Sequence, residues 1–138
     1  MKIPGPDHPI TLEPCRGRVQ AAFAQHVIAD TDDALVVREC DYPPVVYFPM
    51  DDVDMAFLAK TDRSTTCPYK GHASYWTIYM DGRLAENSVW AYEDPYPAMA
   101  ALRGRVAFYP NVVEVYEIDE ADQQRAPTLV GDAGSSTP

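Results

Sequence analysis

An Asp-Gly pair at positions 81 and 82 stands between two stretches of alternating residues. Ahead of it, Ser74 to Met80 places Trp76, Ile78 and Met80 on one face and Tyr75, Thr77 and Tyr79 on the other. Beyond it, Leu84 to Tyr92 places Ser88, Trp90 and Tyr92 on one face and Val89 and Ala91 on the other. Asp-Gly accepts the positive φ values that a two-residue turn demands, so the two stretches form a β-hairpin. A period of two excludes a helix here. Both faces carry large side chains, so something must cover each of them.

The rest of the chain also reads as strands. Arg18 to Phe23 is a first one, and a turn at Gln25-His26 leads into Val27-Ile28-Ala29. Asp30 to Asp33 has turn chemistry, because short Asp and Thr side chains bond their own backbone. Ala34 to Glu39 and Val45 to Phe48 follow, separated by Pro43-Pro44. Asp51 to Leu58 is expected as a short helical turn capped by Asp51 or Asp52. A short helix is expected over Pro95 to Leu102, with Asp94 as N-cap and Gly104 past its end. Val106 to Tyr109 and Val112 to Ile118 complete the strands. Residues 1–17 are expected as an irregular N-terminal arm, 18–118 as one mainly β domain, and 119–138 as a disordered acidic tail.

Composition excludes several partners. Lys plus Arg number 11 against 21 Asp plus Glu, a net charge of -10. The cations are scattered, with Arg103 and Arg105 close together near the C-terminal end and Arg16 and Arg18 near the other, whereas a nucleic-acid binder clusters its cations to displace counterions. An anionic membrane surface is disfavoured for the same reason. No apolar run reaches the ~18 residues of a membrane span. Met1 to Pro9 holds four chain breakers and no apolar stretch, so no signal peptide is expected, and the expected compartment is the cytoplasm. Cys15, Cys40 and Cys67 are odd in number and form no Cys-x-x-Cys pair, which argues for free thiols.

Chemistry is concentrated between positions 67 and 96. Tyr69, Tyr75, Trp76, Tyr79, Trp90, Tyr92 and Tyr96 lie there, out of 9 Tyr, 2 Trp and 4 Phe in the chain. Tyr and Trp join a flat apolar body to a polar handle, which suits a pocket for a ring or a cation. Paired strands also bury such residues as plain core. Before the hairpin stands Cys67-Pro68-Tyr69-Lys70-Gly71-His72. A thiol beside a cation becomes nucleophilic, and Lys70 and His72 are near enough in sequence to act if the chain turns at Pro68 or Gly71. Asp51, Asp52 and Asp54 cluster, and Asp52 and Asp54 could offer carboxylates to magnesium, although such a cluster is more often a solvated turn or a helix cap. His8, His26 and His72 lack ligand spacing, and neither a metal nor a cofactor is expected.

Four linked motifs carry a resemblance. Cys67-Pro68-Tyr69-Lys70-Gly71, then Ala73-x-Tyr75-Trp76, then Ala85-Glu86-Asn87 through Trp90-x-Tyr92-x-Asp94-Pro95, then Gly104-x-Val106-Ala107-Phe108-Tyr109 resemble the bacterial family known as domain of unknown function 427. Ala29-Asp30-Thr31 with Ala34-Leu35, and Tyr47-Phe48-Pro49 with Asp52-Val53, fit it too, so the resemblance spans about residues 18–118. It implies the β-tent fold, in which two antiparallel sheets meet at an angle, with one or two short helices. Relatives by fold are the thalidomide-binding domain of cereblon and methionine sulfoxide reductase B. Several of them hold a structural zinc on two Cys-x-x-Cys knuckles, which this chain lacks. The aromatic cage of the cereblon domain implies, by fold analogy alone, that Tyr69, Trp76, Trp90 and Tyr92 wall a pocket. The family is sometimes labelled nucleotidyltransferase-like. That chemistry needs metal-binding carboxylates, which Asp52 and Asp54 could supply, but Gly134-Ser135 is the only Gly-Ser pair and lies in the expected tail.

Two readings of function follow, with a third beside them. In the first, a small molecule or modified side chain binds in an aromatic pocket of Tyr69, Trp76, Trp90 and Tyr92. Lys70 would neutralise an anionic group and Asn87 would hydrogen-bond it. In the second, an enzyme uses Cys67 as nucleophile or redox thiol with Lys70 or His72. The third is a structural domain that pairs through an exposed strand edge.

Overall fold

Asp81 and Gly82 both adopt positive φ, 51° and 72°, and close the expected hairpin in the computed structural model, which describes residues 1–118. The expected tail, 119–138, lies outside the described residues. The chain runs β1 (Ile10–Pro14), β2 (Arg18–Phe23), β3 (His26–Thr31), β4 (Leu35–Glu39), β5 (Val45–Pro49), β6 (Leu58–Cys67), β7 (Gly71–Met80), β8 (Arg83–Ala91), β9 (Arg105–Phe108) and β10 (Glu114–Ile118). Seven strands form one sheet in the order β1-β4-β5-β9-β8-β7-β6, and three form another in the order β10-β2-β3. Every pairing is antiparallel. The fold is therefore mainly β with two antiparallel sheets, as the β-tent resemblance implies.

Alternation decides which core each residue joins. Tyr75 pairs with Trp90, so these two share a face, while Trp76 pairs with Val89 on the opposite face. Trp76, Ile78, Val89, Val106 and Phe108 pack with Val19, Phe23 and Ile28 of the small sheet. Ile78 and Val89 are fully buried, and each such side chain contributes about 1.5–3 kcal/mol. Tyr47, Tyr75, Tyr92 and Ala107 pack on the second face with Met99 and Leu102 of a short 3-10 segment, Pro97–Leu102. Both faces of the hairpin are thus covered, by different parts of the chain.

Four local expectations are corrected. Ile10–Pro14, read within an irregular arm, is strand β1, paired with β4. Its lone apolar alternation, Ile10 and Leu12, is too short to signal a strand before its partner is known. Strand β6 was not anticipated because Lys60, Asp62 and Arg63 make it polar. It is a sheet edge, where charges keep other strands from adding. The turn expected over Asp51 to Leu58 is two single 3-10 turns, Met50–Asp52 and Met55–Phe57, with no side-chain cap. The helix expected from Pro95 starts at Pro97 and is kinked at Met99. The preceding Tyr96 donates its backbone N–H to the Lys70 carbonyl at 2.9 Å, and Asp94 and Pro95 pack against Gly71.

Candidate functional site

Cys67 and Gly71 face each other across the β6–β7 pair, with Pro68, Tyr69 and Lys70 forming the loop between them. Gly71 has φ +119°, and a Cβ there would stand 3.4 Å from the Asp94 carbonyl oxygen. It is the φ that favours glycine here, since a side chain at +119° would be strained. The loop, clamped by Asp94–Tyr96, sends the Lys70 side chain inward. Lys70 is 6% exposed, and its Nζ donates to Glu39 Oε1 at 2.5 Å. The other Glu39 oxygen lies 2.6 Å from His8 Nε2. Cys67 Sγ is 4.0 Å from Lys70 Nζ.

Burial pushes the Glu39 carboxyl up, but hydrogen bonds from Lys70 and His8, together with the Lys70 charge, hold it below the usual carboxylate range. Glu39 is therefore ionised at neutral pH, and the buried ammonium has its counterion.

A cavity of about 170 Å³ opens beside this pair. Val37, Val45, Tyr47, Trp90 and Tyr92 wall it, Tyr42 and Pro43 sit at its edge, and Glu39 and Lys70 supply its charge. The indole N–H of Trp90 donates to the Tyr47 hydroxyl at 3.2 Å, with the rings edge to face. Tyr109 also packs on the Trp90 indole, with ring centroids 4.6 Å apart and the rings tilted by 47°. Burial drives the Tyr47 and Tyr92 phenols far above their ordinary values, so both remain protonated donors. Tyr92 is 9% exposed, and its hydroxyl has no protein partner among the described residues.

The sequence as a whole can now be placed. Residues 11–119 match the model of a family described as a domain of unknown function, DUF427. The chain belongs to the DUF427 family. A search of curated proteins finds no match. The match begins inside β1, so the strand missed in the arm is part of the DUF427 domain.

The structure gathers some of the expected site residues and parts others. Lys70, Trp90 and Tyr92 border one cavity, and Cys67 packs in the same aromatic cluster. Trp76 does not border it. Its ring lies on the opposite sheet face, with Lys60 Nζ 5.7 Å from its centre. Tyr69 points to the N-terminal segment and stacks on His8 at 4.1 Å and 3°. Asn87 sits in a bulge of β8 at φ 49°, where its side chain accepts from Thr61 Oγ1 at 2.5 Å. It borders a second, more open cavity with Arg63, Ser88, Tyr109 and Asn111, whose charged groups, Arg63 and Glu86, are both exposed. His72 pairs with Thr66 and bonds its hydroxyl at 2.9 Å. It is one residue out of phase with Cys67 and so faces away from it.

Asp52 accepts from Thr31 Oγ1 at 2.7 Å and forms a shallow acidic hollow with Asp30 and Asp54. Among the described residues no three His, Cys, Asp or Glu side chains converge as a metal would need. No helix among them is long and apolar enough to cross a membrane.

Sequence reasoning missed Glu39, His8, Tyr42 and Tyr47. The signals available for them were weak. A carboxylate at a strand end and a histidine between prolines reveal nothing until a lysine 31 residues from that carboxylate is seen to meet it.

Proposed function

We propose that the chain binds a small molecule or a modified side chain, about one ring in size, in the cavity beside Lys70. The observation that carries this reading is the unpartnered Tyr92 hydroxyl. A buried hydroxyl without a partner costs about 1–3 kcal/mol, which a ligand atom would recover. Walls of Tyr47, Trp90 and Tyr92 offer flat apolar surface, and Tyr42, 57% exposed, stands at the opening. The volume is below the ~300–1,000 Å³ of drug-sized sites, which favours a ligand smaller than a nucleotide. Glu39 already neutralises Lys70, so an anionic ligand would meet the carboxylate too. An uncharged polar head that accepts from Lys70 and Tyr92 fits better.

The two tryptophans make the test direct. One indole lines the cavity and the other lies on the far sheet face. Uncharged single-ring fragments bearing an acceptor are titrated into labelled protein, and the indole N–H signals are followed by NMR. The Trp90 signal should move while Trp76 stays. Fragments that move neither signal, or both alike, would overturn the proposal.

A second reading keeps Cys67 as nucleophile or redox thiol, favoured by Lys70 Nζ at 4.0 Å. It requires Cys67 in the native protein to alkylate faster than in urea. A thiol that reacts only after unfolding would eliminate it.

A further inference from the structure

The N-terminal segment carries a histidine to the end of β4, where a carboxylate and a thiol, Glu39 and Cys40, are neighbours in the chain. Gly5 and His8 bond each other's backbone, Lys2 N–H bonds the Pro68 carbonyl, and Cys40 N–H bonds the Pro9 carbonyl at 2.9 Å. These contacts hold His8 over the end of β4. Its ring is clamped face to face against Tyr69, with Tyr42 edge-on at 6.4 Å. Nε2 lies 2.6 Å from Glu39 Oε2, and Nδ1 lies 3.4 Å from Cys40 Sγ. We propose that Cys40, His8 and Glu39 form a nucleophilic triad that takes an acyl group from a small ester or thioester.

The tautomer follows from the charge on Glu39. An ionised carboxylate only accepts, so Nε2 carries the ring proton and Nδ1 presents its lone pair to the thiol. Cys40 is exposed, and the slight desolvation by its neighbours, then the Glu39 and Asp41 carboxylates, push its thiol above the ordinary value against a smaller pull from Lys70. The resting group is thus a thiol, and it needs a base. His8 is in place to be that base, and Glu39 is the positioning group behind it. Cys40 itself adopts φ 50°, a conformation that non-glycine residues seldom hold.

A second, independent feature points to a ligand beside the triad. Glu39, Tyr42 and Pro43, which flank Cys40 in the chain, line the same cavity as Tyr92, whose hydroxyl has no protein partner among the described residues. This part of the argument rests on the binding reading above, since it seats the body of the substrate there. The thiol chemistry does not depend on it.

The step balances without a cofactor. As Cys40 Sγ bonds the carbonyl carbon, the thiol proton passes to His8 Nδ1. The bond to the leaving alkoxide or thiolate breaks, and His8 returns the proton to it. Water then cleaves the thioester, releasing the acid and restoring the thiol.

The test uses the full chain with p-nitrophenyl acetate and, separately, iodoacetamide. Adducts are located on Cys15, Cys40 and Cys67 by peptide mass. Cys40 should take up acetyl and should alkylate faster than Cys15. Cys40→Ser should abolish its own adduct, and His8→Gln should slow it ~100-fold, the low end of general-base effects. An unchanged Cys15 rate in His8→Gln shows that the fold is intact. If that variant unfolds, the Cys40 rate in the native chain against its rate in urea decides, since an activated thiol reacts faster folded than unfolded.

Cys40 reacting no faster than Cys15, or a folded His8→Gln with an unaltered Cys40 rate, would overturn the triad. Rapid alkylation without acetyl transfer would overturn the acyl assignment. None of these outcomes depends on whether the Trp90 indole senses a ligand, so this proposal and the binding reading fail separately.

Discussion

Replacing Glu39 by Gln would leave the Lys70 ammonium, 8% exposed along its side chain, without a counterion. Removing one partner of a buried pair costs about 3–5 kcal/mol. Glu39 is itself 18% exposed, which admits some water, so about 3 kcal/mol is expected. Lys70→Met is milder, at about 2 kcal/mol, because Glu39 keeps His8 and Met fills the space of the lysine stem. The double variant removes both charges and should cost about 2–3 kcal/mol, well short of the sum. Urea unfolding of the four proteins, with equal m-values as the check on two-state behaviour, measures this coupling.

The pH dependence tests the same pair. The folded Glu39 carboxyl lies below its ordinary value of 4.5, so its contribution is complete above about that pH and is lost as pH falls through the lower folded value. Wild type should therefore lose more stability than Glu39→Gln on acidification below pH ~4.5. A Glu39→Gln cost under ~0.5 kcal/mol with no coupling to Lys70 would refute the account of a buried, mutually dependent pair.

Three further outcomes follow from the geometry. Gly71→Ala should destabilise by about 1–3 kcal/mol in the same urea assay, because an alanine at φ +119° is strained. Tyr47→Phe should cost about 1 kcal/mol through the lost bond to Trp90, whereas Tyr92→Phe should be neutral or stabilising by about 1 kcal/mol, since it removes a buried hydroxyl that has no partner. Where a cavity ligand has been found, Tyr92→Phe should weaken it by about 1 kcal/mol in calorimetry, the value of one hydrogen bond.

Much of the fold could be read along the chain. The hairpin around Asp81-Gly82, strands β2, β4, β5 and β9, and the faces of Tyr75 and Trp76 came from period-two alternation and turn chemistry. Strand β6 could not, because an edge strand with few buried residues carries no alternation to see. The site was legible only in part. Lys70, Trp90 and Tyr92 belong together, yet Trp76, Tyr69 and Asn87 are directed elsewhere. Trp76 and Trp90 are an instance of what density in sequence hides. Aromatic richness says how many rings a segment holds, while pairing parity decides that these two lie on opposite faces.

What the amino-acid order determined alone is local: which segments extend, where they reverse and which side chains share a face. Those properties follow from φ/ψ preferences and a repeat of two, neither of which needs a distant partner. The meeting of His8, Glu39 and Lys70, each step 31 residues apart, is of another kind. It exists because β1 pairs with β4 and because Asp94–Tyr96 clamps the loop before β7. Sheet order and a backbone contact at Gly71 brought those charges together, and only the folded chain holds that information.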